Sequence, residues 1–152
     1  MTDLLVVNEL REYLVTEGVV RRWGETPNGL PQCTRDPRDG LPEPADKTYE
    51  GATVMLVDGG KVPQPALEEF IEEALIDCTT RAYSTKDAQL IQRRIRAVLD
   101  GFYYFMMNDL IVEHVQMFTG DAPLGSDELG YTRMQTFRVR ARVKALAGLQ
   151  YW

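Results

Sequence analysis

Residues 110–118, LIVEHVQMF, and 131–144, YTRMQTFRVRARVK, joined by 119–130, TGDAPLGSDELG, set the architecture of this chain. The first run has bulk at nearly every position (Leu110, Ile111, Val112, Val115, Met117, Phe118) and begins with β-branched types, which fits a strand covered on much of both faces. The second run alternates. Tyr131, Phe137, Val139, Ala141 and Val143 share one face, and Thr132, Met134, Thr136, Arg138, Arg140, Arg142 and Lys144 share the other.

The second face ends in a ladder of cations, Arg138, Arg140, Arg142 and Lys144. Same-face residues repeat about every 6.8 Å along a strand, so the ladder is roughly 20 Å long. Three readings fit it. It is a solvated edge that discourages stray strand pairing, an ion-pairing surface for an acidic neighbouring subunit, or a track for nucleic-acid phosphates.

Composition narrows the field. The 152 residues fit a single domain, and 44% hydrophobic with 26% charged residues is an ordinary globular balance. Lys and Arg number 17 against 23 Asp and Glu, a net charge of −6 that argues against general DNA binding while leaving local basic patches open. Cys33 and Cys78 stand far apart outside any Cys-x-x-Cys pair, so reduced thiols are expected. The opening MTDLLVVNELREYL has an acid where a signal peptide carries base, and no run reaches the roughly 18 apolar residues of a membrane span, so maturation in a cytoplasm is expected.

Upstream of the paired runs, Leu4, Val7, Leu10 and Leu14, widened by Val6, Tyr13 and Val15, predict a helix from Asp3 to Glu17 with Gly18 as its stop. Composition then shifts: five of the eight prolines (Pro27, Pro31, Pro37, Pro42, Pro44) fall in the next stretch, which predicts an extended loop or arm over 18–52. Trp23 and the Arg21-Arg22 pair equip it for contact, although Trp23 packed back on the core is an equal reading. Thr53 to Asp58 reads as a short buried strand stopped by Gly59-Gly60, and Glu73 to Tyr83 as a second strand alternating Ile76, Cys78, Thr80 and Ala82 against Asp77, Thr79, Arg81 and Tyr83.

A second helix follows, capped by Ser84 or Thr85 with Asp87 as the capping-box acid. Ala88, Ile91, Ile95, Val98 and Leu99 form its inner stripe; Gln89, Gln92, Arg93, Arg94 and Arg96 are assigned to water, and Gly101 closes it. Phe102 to Met107 is too uniformly apolar to place by period, and 145–152 reads as an apolar tail whose Tyr151 and Trp152 dock on the fold or a neighbour. The predicted fold is α+β, a four-stranded mainly antiparallel sheet with two helices packed on one face and a long Pro/Gly-rich loop after the first helix.

The inventory for catalysis is thin. His114 lies mid-strand beside Glu113 and reads as structural, and Cys78 reads as a small core filler. Gly59-Gly60-Lys61 lacks the spacing of a phosphate-binding loop, and Pro63 and Pro65 prevent an immediate helix, so it reads as a turn. Glu68-Glu69 and Glu72-Glu73 have no accompanying histidine and read as an acidic surface. No catalytic, cofactor-binding or metal-binding residue is assigned.

The order of elements, the strand TVMLVD ending in Gly59-Gly60, and above all PLGSDELGYTRMQTFRVRAR at 123–142 resemble the tail-terminator proteins of long-tailed bacteriophages, also labelled minor capsid proteins. The resemblance implies a non-enzymatic virion protein of the head-tail neck, assembled in the host bacterial cytoplasm. It implies a homo-oligomeric ring, typically a hexamer, that caps the tail tube, stops its polymerisation and meets a head-completion or connector protein while genomic DNA passes without sequence specificity. Candidate subunit-interface residues on that reading are Arg138, Arg140, Arg142, Lys144, Glu72, Glu73, Asp77, Trp23, Tyr151 and Trp152, with ladder cations of one subunit facing acids of the next. The alternatives are another connector of the neck, or a small α+β enzyme or ligand-binding domain using the Gly59-Gly60-Lys61 turn and His114.

Overall fold

The computed structural model describes residues 2–34, 41–61, 71–106, 110–128 and 130–143. Its elements are α1 (Thr2–Thr16), β1 (Arg21–Arg22), β2 (Gln32–Cys33), β3 (Thr53–Lys61), β4 (Ile71–Ala82), α2 (Thr85–Leu99), β5 (Phe102–Met106), β6 (Leu110–Asp127) and β7 (Gly130–Val143). The strands form one sheet in the order β1-β2-β3-β4-β7-β6-β5. β1, β2 and β3 run parallel to one another, and every other neighbouring pair is antiparallel.

The α+β class and both helices are present, but a four-stranded, mainly antiparallel sheet is incorrect: the sheet is mixed and seven-stranded. Two of the added strands, β1 and β2, lie inside the Pro/Gly-rich stretch and are two residues each, too short to show any period. They are held by main-chain bonds from Arg21 N to Pro31 O (2.9 Å), Gln32 N to Ala52 O (3.2 Å) and Thr34 N to Val54 O (2.9 Å). The third addition, β5, is the FYYFM run that lacked a period.

Two boundaries also move. β3 continues through Gly59-Gly60 to Lys61, opposite Ala74, across an irregularity between Asp58 and Gly60. A strand glycine marks a bulge as readily as a stop, and here it marks a bulge. Likewise TGDAPLGSDELG is mostly strand: β6 runs to Asp127, which pairs with Gly130. The extension is irregular, with register shifts at Met117/Thr119, Thr119/Ala122 and Pro123/Gly125, and those breaks hide it from a period-two reading.

β7 is the spine. It pairs with β4 from Ile71↔Arg142 to Ala82↔Tyr131 and with β6 from Leu110↔Val143 to Asp127↔Gly130. Although Tyr131 is 42% exposed, the expected alternation is present in Phe137, Val139 and Ala141, all of them buried. They join one core with Val54, Leu56, Ile76 and Cys78 of the neighbouring strands, Val6, Val7, Leu10 and Leu14 of α1, and Ala88, Ile91, Ile95 and Leu99 of α2. Both helices therefore cover the same face of the sheet, and α2 spans β4, β7 and β6. Full burial of an aliphatic side chain stabilises by about 1.5–3 kcal/mol, so this cluster is the main source of stability.

Both ends of α2 follow from its sequence. Ser84 is the N-cap and its hydroxyl accepts from Asp87 N at 3.1 Å, while Gly101 takes φ +83° just beyond the C-cap. Gln92, assigned to water, is instead fully buried. Its Oε1 accepts from Thr80 Oγ1 (3.1 Å), Gln135 Nε2 (3.0 Å) and Cys78 Sγ (3.6 Å), and its Nε2 donates to Cys78 O (3.2 Å). Gln135 Nε2 also donates to Gln92 O at 2.9 Å, so two strands and a helix share one polar knot.

Replacing Gln92 by Leu leaves the Thr80 hydroxyl and the Cys78 carbonyl without their partners in a dry site. Gln92→Leu is expected to cost about 2–4 kcal/mol, read as a lower denaturant midpoint. A midpoint matching the wild type would show that the knot contributes no stability.

Candidate interaction surface

The sheet face opposite the helices carries the charged side of β7. There Asp77 and Thr136, paired across β4 and β7, share a 2.8 Å hydrogen bond from the Thr136 hydroxyl. Glu73, opposite Arg140, accepts from Arg138 Nε (2.8 Å) and Nη2 (2.5 Å) and has Arg140 Nη1 at 3.7 Å. Arg140 Nε lies 3.8 Å from Glu113 on β6. A ladder of alternating sign thus crosses three strands of one chain.

Burial fixes what this ladder is worth. The Glu73 side chain is only 8% exposed and those of Arg138 and Arg140 are 36% and 39%. A carboxylate so enclosed is tolerated because two guanidinium groups flank it, and removing them strands a buried charge. Arg138, Arg140, Glu73 and Asp77, expected at a subunit interface, are therefore brought together within the chain. The side chains of Glu72 and Arg142, and all of Lys144, Tyr151 and Trp152, lie outside the described residues, as do 62–70 and the 145–152 tail.

A further bridge lies near the hairpin turn: Arg81 Nη2 bonds both Asp127 carboxylate oxygens at 2.9 and 2.8 Å. Arg133 Nε contacts Asp121 at 3.0 Å in the irregular part of β6. Neither pair is readable from sequence spacing, because both depend on how the bulged β6 is registered on its neighbours.

The Pro/Gly-rich stretch is tied down at its start. Arg21 is buried and donates to Leu30 O (2.9 Å) and Glu25 O (2.8 Å), bracing the β1–β2 connection. Arg22 forms 2.8 Å ion pairs with Glu12 of α1 and with Glu25. Trp23 is 41% exposed and so is not packed fully back on the core. Phe118 and Leu124 on the distal half of β6 are more open still, at 56% and 57%.

His114 is half-buried on β6, its backbone opposite Tyr103 and Arg140. Cys33 and Cys78 are free and buried. Burial pushes the Cys33 thiol up to about 12 and holds Cys78 well above its ordinary range, so both are poor nucleophiles near neutral pH. Among the described residues no group of three or more His, Cys, Asp and Glu is placed to hold a metal ion, and no helix is long and apolar enough to cross a membrane. No known family profile matches the sequence, and no curated protein matches it.

Two measurements probe these sites. Arg138→Glu with Arg140→Glu surrounds buried Glu73 with like charge and is expected to cost about 3 kcal/mol or more in thermal unfolding. An unchanged transition would show that the ladder contributes no stability; β7 is paired on both sides, so the solvated-edge reading of its cations is already incorrect. For the thiols, the folded pKa lies above the unfolded value near 9.0, so the folded state keeps protons that the unfolded state releases. Stability is then full below pH 9 and falls by about 1.4 kcal/mol per pH unit for each thiol above it, for Cys33 up to about 12. Cys33→Ala is expected to flatten that decline between pH 9 and 10.5; an equal slope would place the titration elsewhere.

Proposed function

We propose that this chain is a structural subunit of a phage neck, a tail terminator that acts as a homo-oligomeric ring. The observation that carries the reading is the β6–β7 hairpin. Two long strands meet at the Pro123-Leu124-Gly125 to Gly130-Tyr131 motif and present Phe118 and Leu124 to solvent, and the charged sheet face they border is the one that α1 and α2 leave uncovered. Apolar side chains displayed on a rigid element, ringed by polar groups, suit a contact surface.

The element order supports it as well. A helix, a Pro/Gly-rich stretch, two strands, a helix, the short strand β5 and the long hairpin follow one another. On this reading the ring caps the tail tube, stops its growth, meets a connector on the head side, and lets DNA pass without reading its sequence. The chain performs no turnover; its work is done by surfaces.

Native mass spectrometry and negative-stain imaging test the reading. Closed rings of a single stoichiometry are expected, together with shortened tubes when the chain is added to polymerising tail-tube protein. A persistent monomer with no effect on tube length would overturn it.

A further inference from the structure

The four cations of α2 stand apart from the rest of the surface. Lys86, Arg93, Arg94 and Arg96 share the helix with one acid, Asp87. With them set aside, the remaining chain holds 13 cations against 22 acids. Arg94 is engaged, donating to the Tyr49 hydroxyl at 2.9 Å with its guanidinium 5.1 Å from that ring. Arg96 has only a 3.6 Å contact with Asp100 and is 54% exposed. Lys86 and Arg93 are exposed and have no ion-pair or hydrogen-bond partner among the described residues.

Opposite charge gathers elsewhere. Glu43 and Glu128 are exposed carboxylates, also without such partners among the described residues. They belong to one end of the molecule, because the Cγ of Pro44 would lie 3.3 Å from a Cβ on Gly130, next to the β6–β7 turn. The same end includes Asp127, 59% exposed despite its bridge to Arg81, and half-exposed Tyr131, whose backbone pairs with Ser126 and Ala82. It is a mainly acidic rim with apolar Tyr131 and Leu124 in it, and the cation described beside it, Lys47, sits over the Tyr83 ring at 5.1 Å.

These patches are apart on one subunit. The turn end adjoins Ala82, just before the start of α2, whereas Arg93 and Arg96 lie about 12–17 Å further along the helix axis. We infer that the Arg93/Arg96 face of α2 docks the Glu43/Glu128 end of a second copy of this chain, head to tail. A contact between two different patches is heterologous, and repeated about a closed rotation it makes a ring. The inference rests on the ring reading and supplies its subunit contact. Charge complementarity selects the second copy: the chain outside α2 holds 13 cations against 22 acids, and a net-acidic chain is repelled by phosphates in general.

The test uses full-length chains and light scattering coupled to size-exclusion chromatography at low salt, with far-UV circular dichroism to confirm folding. R93E/R96E and E43R/E128R are each expected to remain monomeric at about ten times the concentration at which the wild type assembles. Their equimolar mixture is expected to recover the oligomer, since the acidic helix of the first fits the basic end of the second. Rings that persist in either variant overturn this contact and leave the ring reading standing, as does a mixture that fails to assemble. A wild type that stays monomeric removes the ring reading and the contact with it. Wild-type binding to a short DNA duplex, lost in R93E/R96E while rings persist, assigns these arginines to phosphates and likewise overturns the contact.

Discussion

The fold depends on keeping one glutamine carboxamide dry and fully engaged. Gln92 has no solvent to fall back on, so three donors and a carbonyl must converge on it from Cys78 and Thr80 of β4 and Gln135 of β7. Apolar contacts alone tolerate sliding of a helix over a sheet, because burial is nearly indifferent to small shifts. Hydrogen bonds are not indifferent, since an unmade bond in a dry site costs more than a made one gains. The knot therefore fixes where α2 sits across β4 and β7, and with it the placement of the arginines on its outer side.

β7 carries the consequence across the sheet. One side of the strand provides Gln135, Phe137, Val139 and Ala141 to the core, and the other provides Thr136, Arg138 and Arg140 to the ladder. A slip of one residue would bury arginines against α2 and expose phenylalanine, so both faces enforce the same register. The ladder adds specificity more than stability, because the desolvation of Glu73 offsets much of the attraction it feels. It also shows why a row of cations read alone is ambiguous: its meaning depends on which acids the neighbouring strands place beside it.

What the sequence disclosed follows from the range of the forces involved. α2 was legible to its cap, as Ser84, Asp87 and the Ala88-Ile91-Ile95 stripe are local signals. The even-residue face of β4 and the odd-residue face of β7 were legible for the same reason. Gln92 was misplaced because its side chain is polar, although it stands four residues after Ala88 on the buried stripe; position argued for the core and chemistry for water. β1 and β2 were invisible because a two-residue strand exists only through its neighbours. Among the surface groups, Arg138 and Arg140 were visible as a pattern, but their partner Glu73 is 65 residues from Arg138, and only the register of β4 on β7 brings them together.

The distal half of β6 bears on the proposed ring through its outer edge. Beyond Met117, whose N–H is taken by Asp100 at 2.7 Å, no described strand pairs with its outer edge. An open edge invites strand addition, yet this one is interrupted by three register shifts, contains Pro123 with no N–H to give, and carries acids at Asp121 and Asp127. A second copy finds no regular row of donors and acceptors there. In the proposed ring, contact between copies would therefore rest on side chains and not on the backbone of this edge. The proposed ring closes only if the rotation between its two unlike patches repeats to a full turn, and an irregular edge removes strand addition as a competitor.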